Sequence, residues 1–135
     1  MKKFKNTKKR ILPEGIRMFA FDFDGVMVKQ NAPSYEIHKL NPNPNKKVIS
    51  AIRILSKKGH KIIIHSKRSN NFLRKYCVKH NIPFDYINKN PLVKGDNPGK
   101  PVASAYIDDR AYQYKGQNTK KLVHDLIKFQ PYWKK

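Results

Sequence analysis

The sequence has almost no means of cross-linking itself: one cysteine, Cys77, stands among 135 residues. No internal disulfide can form, so a reducing, cytoplasmic compartment is the expectation. Cys77 lies in a helical pattern with no acidic or histidine neighbour to activate it, and it reads as packing rather than as a nucleophile. Long apolar runs are missing too. Stretches such as Ile62-Ile63-Ile64 suit a strand and fall far short of the roughly 20 residues of a membrane span. No membrane contact is expected. The basic opening, MKKFKNTKKRILPEG, lacks the apolar segment of a secretory signal. Acid is scarce as well: nine Asp and Glu face 30 Lys and Arg, a formal charge of +21. A drift towards lysine, asparagine and isoleucine would enrich glutamate too, yet Glu14 and Glu36 are the only two. The imbalance points to a polyanion, either nucleic acid or a phosphorylated substrate.

What is present fits one domain. A chain of 135 residues buries a single core and leaves no room for a second, substrate-binding domain. Residues 1–14 read as a basic arm and residues 15–135 as the folded unit. Residues 16–23 (IRMFAFDF) predict a first strand. Pro33 and the NPNPN run punctuate residues 25–45 and predict a loop. Val48, Ile49, Ile52 and Leu55 recur at helical spacing in residues 46–58, with Gly59 placed to end that helix. Residues 60–65 predict the second strand. Ser69 or Asn70 can cap a second helix reaching His80, with Phe72, Leu73, Tyr76 and Cys77 inward. Residues 84–87 and 103–107 predict two further strands, the latter with Tyr106 in the core. The loop between them carries Gly95, Pro98 and Pro101. A last helix over 119–129 gathers Leu122, Val123, Leu126 and Ile127 on one side. Strands alternating with helices predict an α/β fold, a single Rossmann-like three-layer domain around a mostly parallel sheet. Such sheets bind ligands beyond the carboxyl ends of their strands.

Polar residues collect at those ends. The first strand closes on Asp22-Phe23-Asp24-Gly25, the second on His65-Ser66 and the fourth on Asp108-Asp109. Nine acidic residues scattered at random would rarely place four at two strand ends. Gly25 lets the backbone turn away behind Asp22 and Asp24. Carboxylates this close repel one another unless a cation lies between them. An all-oxygen set selects a hard ion, and magnesium typically adds waters and phosphate oxygens to it. Lys100, between Gly99 and Pro101, lies just before the fourth strand.

Four segments, FDFDGVMV, IIIHSKRS, Lys100 in GKP, and YIDDRA, occur in the order of the motifs of the haloacid dehalogenase (HAD) superfamily. Over residues 16–111 the sequence resembles that family of aspartate-nucleophile phosphatases, and it looks closest to the short members without a cap domain. The resemblance implies a HAD-like domain and a magnesium-dependent phosphohydrolase acting through an aspartyl-phosphate. It implies Asp22 as nucleophile and Asp24 as proton donor and acceptor. Asp22, Asp24, Asp108 and Asp109 would surround the metal, while Ser66, Lys67, Arg68 and Lys100 would hold the phosphoryl group. Val26 stands where many members carry threonine, and Ser66 keeps the hydroxyl of a threonine. The gaps on either side of Ser66 are too short for a cap, which implies an open site. A nucleic-acid terminal phosphate, a nucleotide and a sugar phosphate all suit it.

Plainer readings stand beside these. Asp22 and Asp24 can form a turn and a cap, and Asp108-Asp109 an ordinary turn. Lys94 rivals Lys100. Ser66 can cap the following helix, whose N-terminus is itself a phosphate site. Arg68 either reaches a phosphate or is solvated or ion-paired at the surface. The five histidines show no metal-ligand spacing. Tyr114, Tyr132 and Trp133 lie near basic residues and can stack on bases. For the whole chain, the alternatives are a non-enzymatic nucleic-acid-binding protein and a phosphotransferase of the same fold.

Overall fold

A computed structural model describes residues 12–29, 41–94 and 99–134. Most of the basic arm, Pro33, Gly95 and Pro98 lie outside the described residues. The elements run β1 (Met18–Asp22), α1 (Lys46–Lys57), β2 (Lys61–His65), α2 (Asn70–Lys79), β3 (Tyr86–Ile87), β4 (Ala105–Ile107) and α3 (Thr119–Lys128). A 3-10 turn, Tyr132–Lys134, follows. The strands form one sheet in the order β3-β2-β1-β4, and every pairing is parallel. This is an α/β fold compatible with a single Rossmann-like domain. Among the described residues, no helix is long and apolar enough to cross a membrane.

Strands inside a parallel sheet are covered on both faces and so read as continuous apolar runs. Ile62, Ile63 and Ile64 of β2 accordingly show no exposed surface. Helix α1 buries Ile49 and Ile52. It ends where the Gly59 N–H bonds to the Ser56 carbonyl and the His60 N–H to the Leu55 carbonyl. That pattern needs a left-handed residue, and Gly59 supplies it at φ 93. Helix α2 starts at Ser69, whose hydroxyl accepts the Phe72 N–H, and buries Leu73, Tyr76 and Cys77. Burial pushes the Cys77 thiol up to about 11, in keeping with a packing role. Phe23, Met27 and Val28 complete the core from the turn after β1.

Two expectations about burial fail. Tyr106 is 40% exposed, because β4 is the edge of the sheet and too short to be covered. Helix α3 buries no residue; Val123 and Leu126 are half exposed and Ile127 more so. Helical spacing tells which residues share a face, not whether another element covers it.

The strand order places the site. From β1 the chain steps outward through β2 to β3, then returns to lay β4 on the other side of β1. The order reverses between β1 and β4, and a crevice opens at the carboxyl ends of such a pair. Register pairs Phe21 with Ile107. The next residue on each strand is Asp22 on one and Asp108 on the other.

Candidate functional site

Paired strands run about 4.8 Å apart, so Asp22 and Asp108 emerge side by side at the switch point. Asp22, Asp108 and Asp109 each place a carboxylate oxygen within 4.8 Å of the other two. Burial, first of all, pushes the Asp22 carboxyl up to about 8. The close approach of the Asp109 carboxyl and the charges of Asp108 and Asp109 add to the rise, while the Phe23 amide opposes it. One oxygen of Asp109 accepts a hydrogen bond from the Trp133 indole N–H. The other, Oδ1, is buried with no donor among the described residues. Crowded carboxyls, an oxygen-only donor set and an orphaned buried oxygen fit a hard divalent cation.

A tight turn presents the cluster. The N–H groups of Val26, Met27 and Val28 converge on the Phe23 carbonyl at 3.3, 2.9 and 3.1 Å, and the Gly25 N–H bonds to the Val28 carbonyl at 2.9 Å. Gly25 adopts φ 91, and a β-carbon there would collide with the Asp109 carboxylate. Glycine is therefore required both by its backbone angle and by close approach. The Tyr132 hydroxyl donates to the Gly25 carbonyl at 2.7 Å. Val26 is buried in this turn.

Asp24 points elsewhere. Its two oxygens accept from Arg68 Nε and Nη2, each at 2.8 Å, and the side chains are 19% and 10% exposed. The guanidinium also lies 5.2 Å from the Phe23 ring and 4.7 Å from the Phe72 ring. Of the readings for Arg68, the ion pair is the one observed, in a largely buried setting. Ser66 closes the same side: its N–H donates to Asn88 Oδ1 at 2.8 Å and its hydroxyl accepts the Arg68 N–H at 3.1 Å. Asn88, at φ 56, also donates to Asn70 at 2.8 Å, tying the loop after β2 to the start of α2. The preference of asparagine for left-handed backbone is the one sequence signal for that role.

The structure thus gathers Asp22, Asp108 and Asp109, and sets Asp24, Arg68 and Ser66 in a hydrogen-bonded chain. Lys67 and Lys100 are exposed, and Lys100 Nζ lies 5.0 Å from the Tyr106 ring. Tyr132 and Trp133, which the sequence marks only as able to stack on bases, lie against Gly25 and Asp109. A cavity of about 1150 Å³ adjoins the cluster, walled by Asp108, Asp109, Gly25 and Val26, the chain around the start of α1, and Tyr132 and Trp133.

Fold and site define a Rossmann-like α/β domain with an acidic cluster at its switch point. The chain is similar to a conserved protein from Bacteroides thetaiotaomicron at 24% identity, over 84% of this chain and 91% of that one, with a TM-score of 0.56. That likeness shows the fold alone. No family model matches the chain, and no curated protein matches it.

Proposed function

We propose that this chain is a magnesium-dependent phosphohydrolase of the HAD type, acting on a phosphomonoester through an aspartyl-phosphate at Asp22. The observation that carries the reading is the convergence of Asp22, Asp108 and Asp109 within 4.8 Å at the crevice between β1 and β4. Binding alone does not need three carboxyls crowded together in a chain of net charge +21.

In this reading an Asp22 oxygen attacks phosphorus and the bond to the leaving oxygen breaks. The leaving oxygen takes a proton from Asp24. Water then attacks the same phosphorus, gives a proton to Asp24, and the bond to Asp22 breaks to release phosphate. Two easier displacements replace one hard one. Asp108 and Asp109 would hold magnesium beside Asp22, and the ion would offset the charge of the nucleophile and of the transferring group. Asp24 is held away from the cluster by two charge-assisted hydrogen bonds from Arg68, so in this reading its carboxyl turns from that pair to the leaving oxygen when substrate binds. Ser66 offers a hydroxyl oriented by the Arg68 amide.

The test is phosphate release from an aryl phosphate and a panel of nucleotides, with magnesium or with EDTA, for wild type and Asp22→Asn. Turnover is expected to require magnesium and to fall by about a thousandfold or more in the variant. Metal-independent turnover, or an unimpaired variant, overturns the reading.

A further inference from the structure

The cavity beside the cluster offers more than phosphoryl chemistry needs. At about 1150 Å³ it exceeds the roughly 300–1,000 Å³ of ordinary small-molecule sites. Lys29, Lys46 and Lys47 line it together with Tyr132 and Trp133, and all three lysines are exposed. The first turn of α1 holds no acidic residue to offset Lys46 and Lys47. Both rings are pinned at their polar ends. The Tyr132 hydroxyl is bound to the Gly25 carbonyl, yet the residue stays 58% exposed. The Trp133 N–H is bound to Asp109, and the Arg110 guanidinium lies 5.3 Å over its ring.

Flat rings held still inside a cationic groove are what single-stranded nucleic acid binds: bases stack on the rings and phosphates meet the lysines. A sugar phosphate carries a single phosphate and would leave most of the three lysines without one. Resting on the phosphohydrolase reading, we propose that the substrate is the phosphorylated end of a single-stranded polynucleotide. Its terminal phosphate lies at the carboxylates, its end bases on Tyr132 and Trp133, and its next phosphodiesters against Lys29, Lys46 and Lys47.

Trp133 is the only tryptophan in the chain, so its fluorescence reports occupancy of the groove. The probes are a phosphorylated oligonucleotide of about six nucleotides and the matching mononucleotide, titrated in EDTA so that nothing turns over. The oligonucleotide is expected to quench Trp133 and to bind about tenfold or more tighter than the mononucleotide. Lys46→Ala with Lys47→Ala should lower the slope of log affinity against log salt by about 1.4, two phosphate contacts' worth. Lys57→Ala with Lys58→Ala removes the same charge from the far end of α1 and should leave that slope in place. With magnesium, the ratio of oligonucleotide to aryl phosphate turnover should fall in the first pair. Equal affinity for the two probes, an unquenched Trp133, or equal losses in both lysine pairs overturns the inference. Aryl phosphate turnover with an unquenched Trp133 sinks the inference alone. Quenching with the full salt slope, but no phosphate release from any substrate, sinks the phosphohydrolase reading instead.

Discussion

Asp22 is caught between its chemistry and its surroundings. A nucleophile has to be ionised, yet burial, Asp109 and Asp108 together hold this carboxyl near 8 instead of the ordinary 3.8. The shift has a consequence for stability. Between those two values the folded chain keeps a proton that the unfolded chain has lost, so the folded state binds more protons and stability falls as pH rises. The contribution is complete below 3.8 and gone once pH has passed about 8. Thermal unfolding of the metal-free protein, followed by circular dichroism, should therefore show a downward component in Tm across that window. Asp22→Asn, nearly the same shape without the charge, should lose that component and raise the metal-free Tm at the alkaline end. Magnesium should stabilise wild type more as pH rises, since it meets an ionised Asp22. Superimposable pH profiles for wild type and variant would remove the crowding argument.

Among the elements, one of the shortest does the most for the site. The turn Tyr132–Lys134 reaches Gly25 across 107 positions and Asp109 across 24. Trp133→Phe keeps a ring but deletes the donor, leaving both Asp109 oxygens without a partner. Unsatisfied buried groups cost about 1–3 kcal/mol, and loss of a group orienting a metal ligand weakens metal binding about tenfold. Calorimetric titration of magnesium into wild type and Trp133→Phe should read that loss; equal affinities would show that the turn merely lies against the site. Nothing in the spacing of Tyr132-Trp133-Lys134 announces this role, because the contacts are single hydrogen bonds to distant residues and leave no period. Helices α1 and α2 were legible to within a residue or two, since Gly59, Ser69 and the apolar spacing are local chemistry. The convergence of Asp22 and Asp108 was legible for a different reason: a parallel sheet delivers strand ends to one rim. The pairing of Asp24 with Arg68 was not, because an ion pair and a metal ligand both call for the same carboxylate at the same place.

Charge acts on the molecule as a whole. Of nine acidic residues, three form the cluster, and Asp24, Asp85 and Asp125 lie against Arg68, Lys61 and Lys121. Nine acidic residues cannot compensate 30 basic ones, so most of the positive charge is unbalanced. A net +21 strains the compact state by self-repulsion, and the same field draws polyanions towards it. Salt reaches both effects but with opposite signs. The screening length shrinks from about 30 Å at 0.01 M to about 10 Å at 0.1 M, which relieves repulsion within the fold and weakens attraction for an oligonucleotide. Raising sodium chloride across that range should lift the Tm; a gain of about 1 kcal/mol corresponds to roughly 4 °C in a domain of this size. Over the same range the oligonucleotide affinity should drop. A Tm that stays flat or falls would mean that the fold does not feel its own charge as repulsion. The field would then have to act locally, around Lys29, Lys46 and Lys47, rather than through the total.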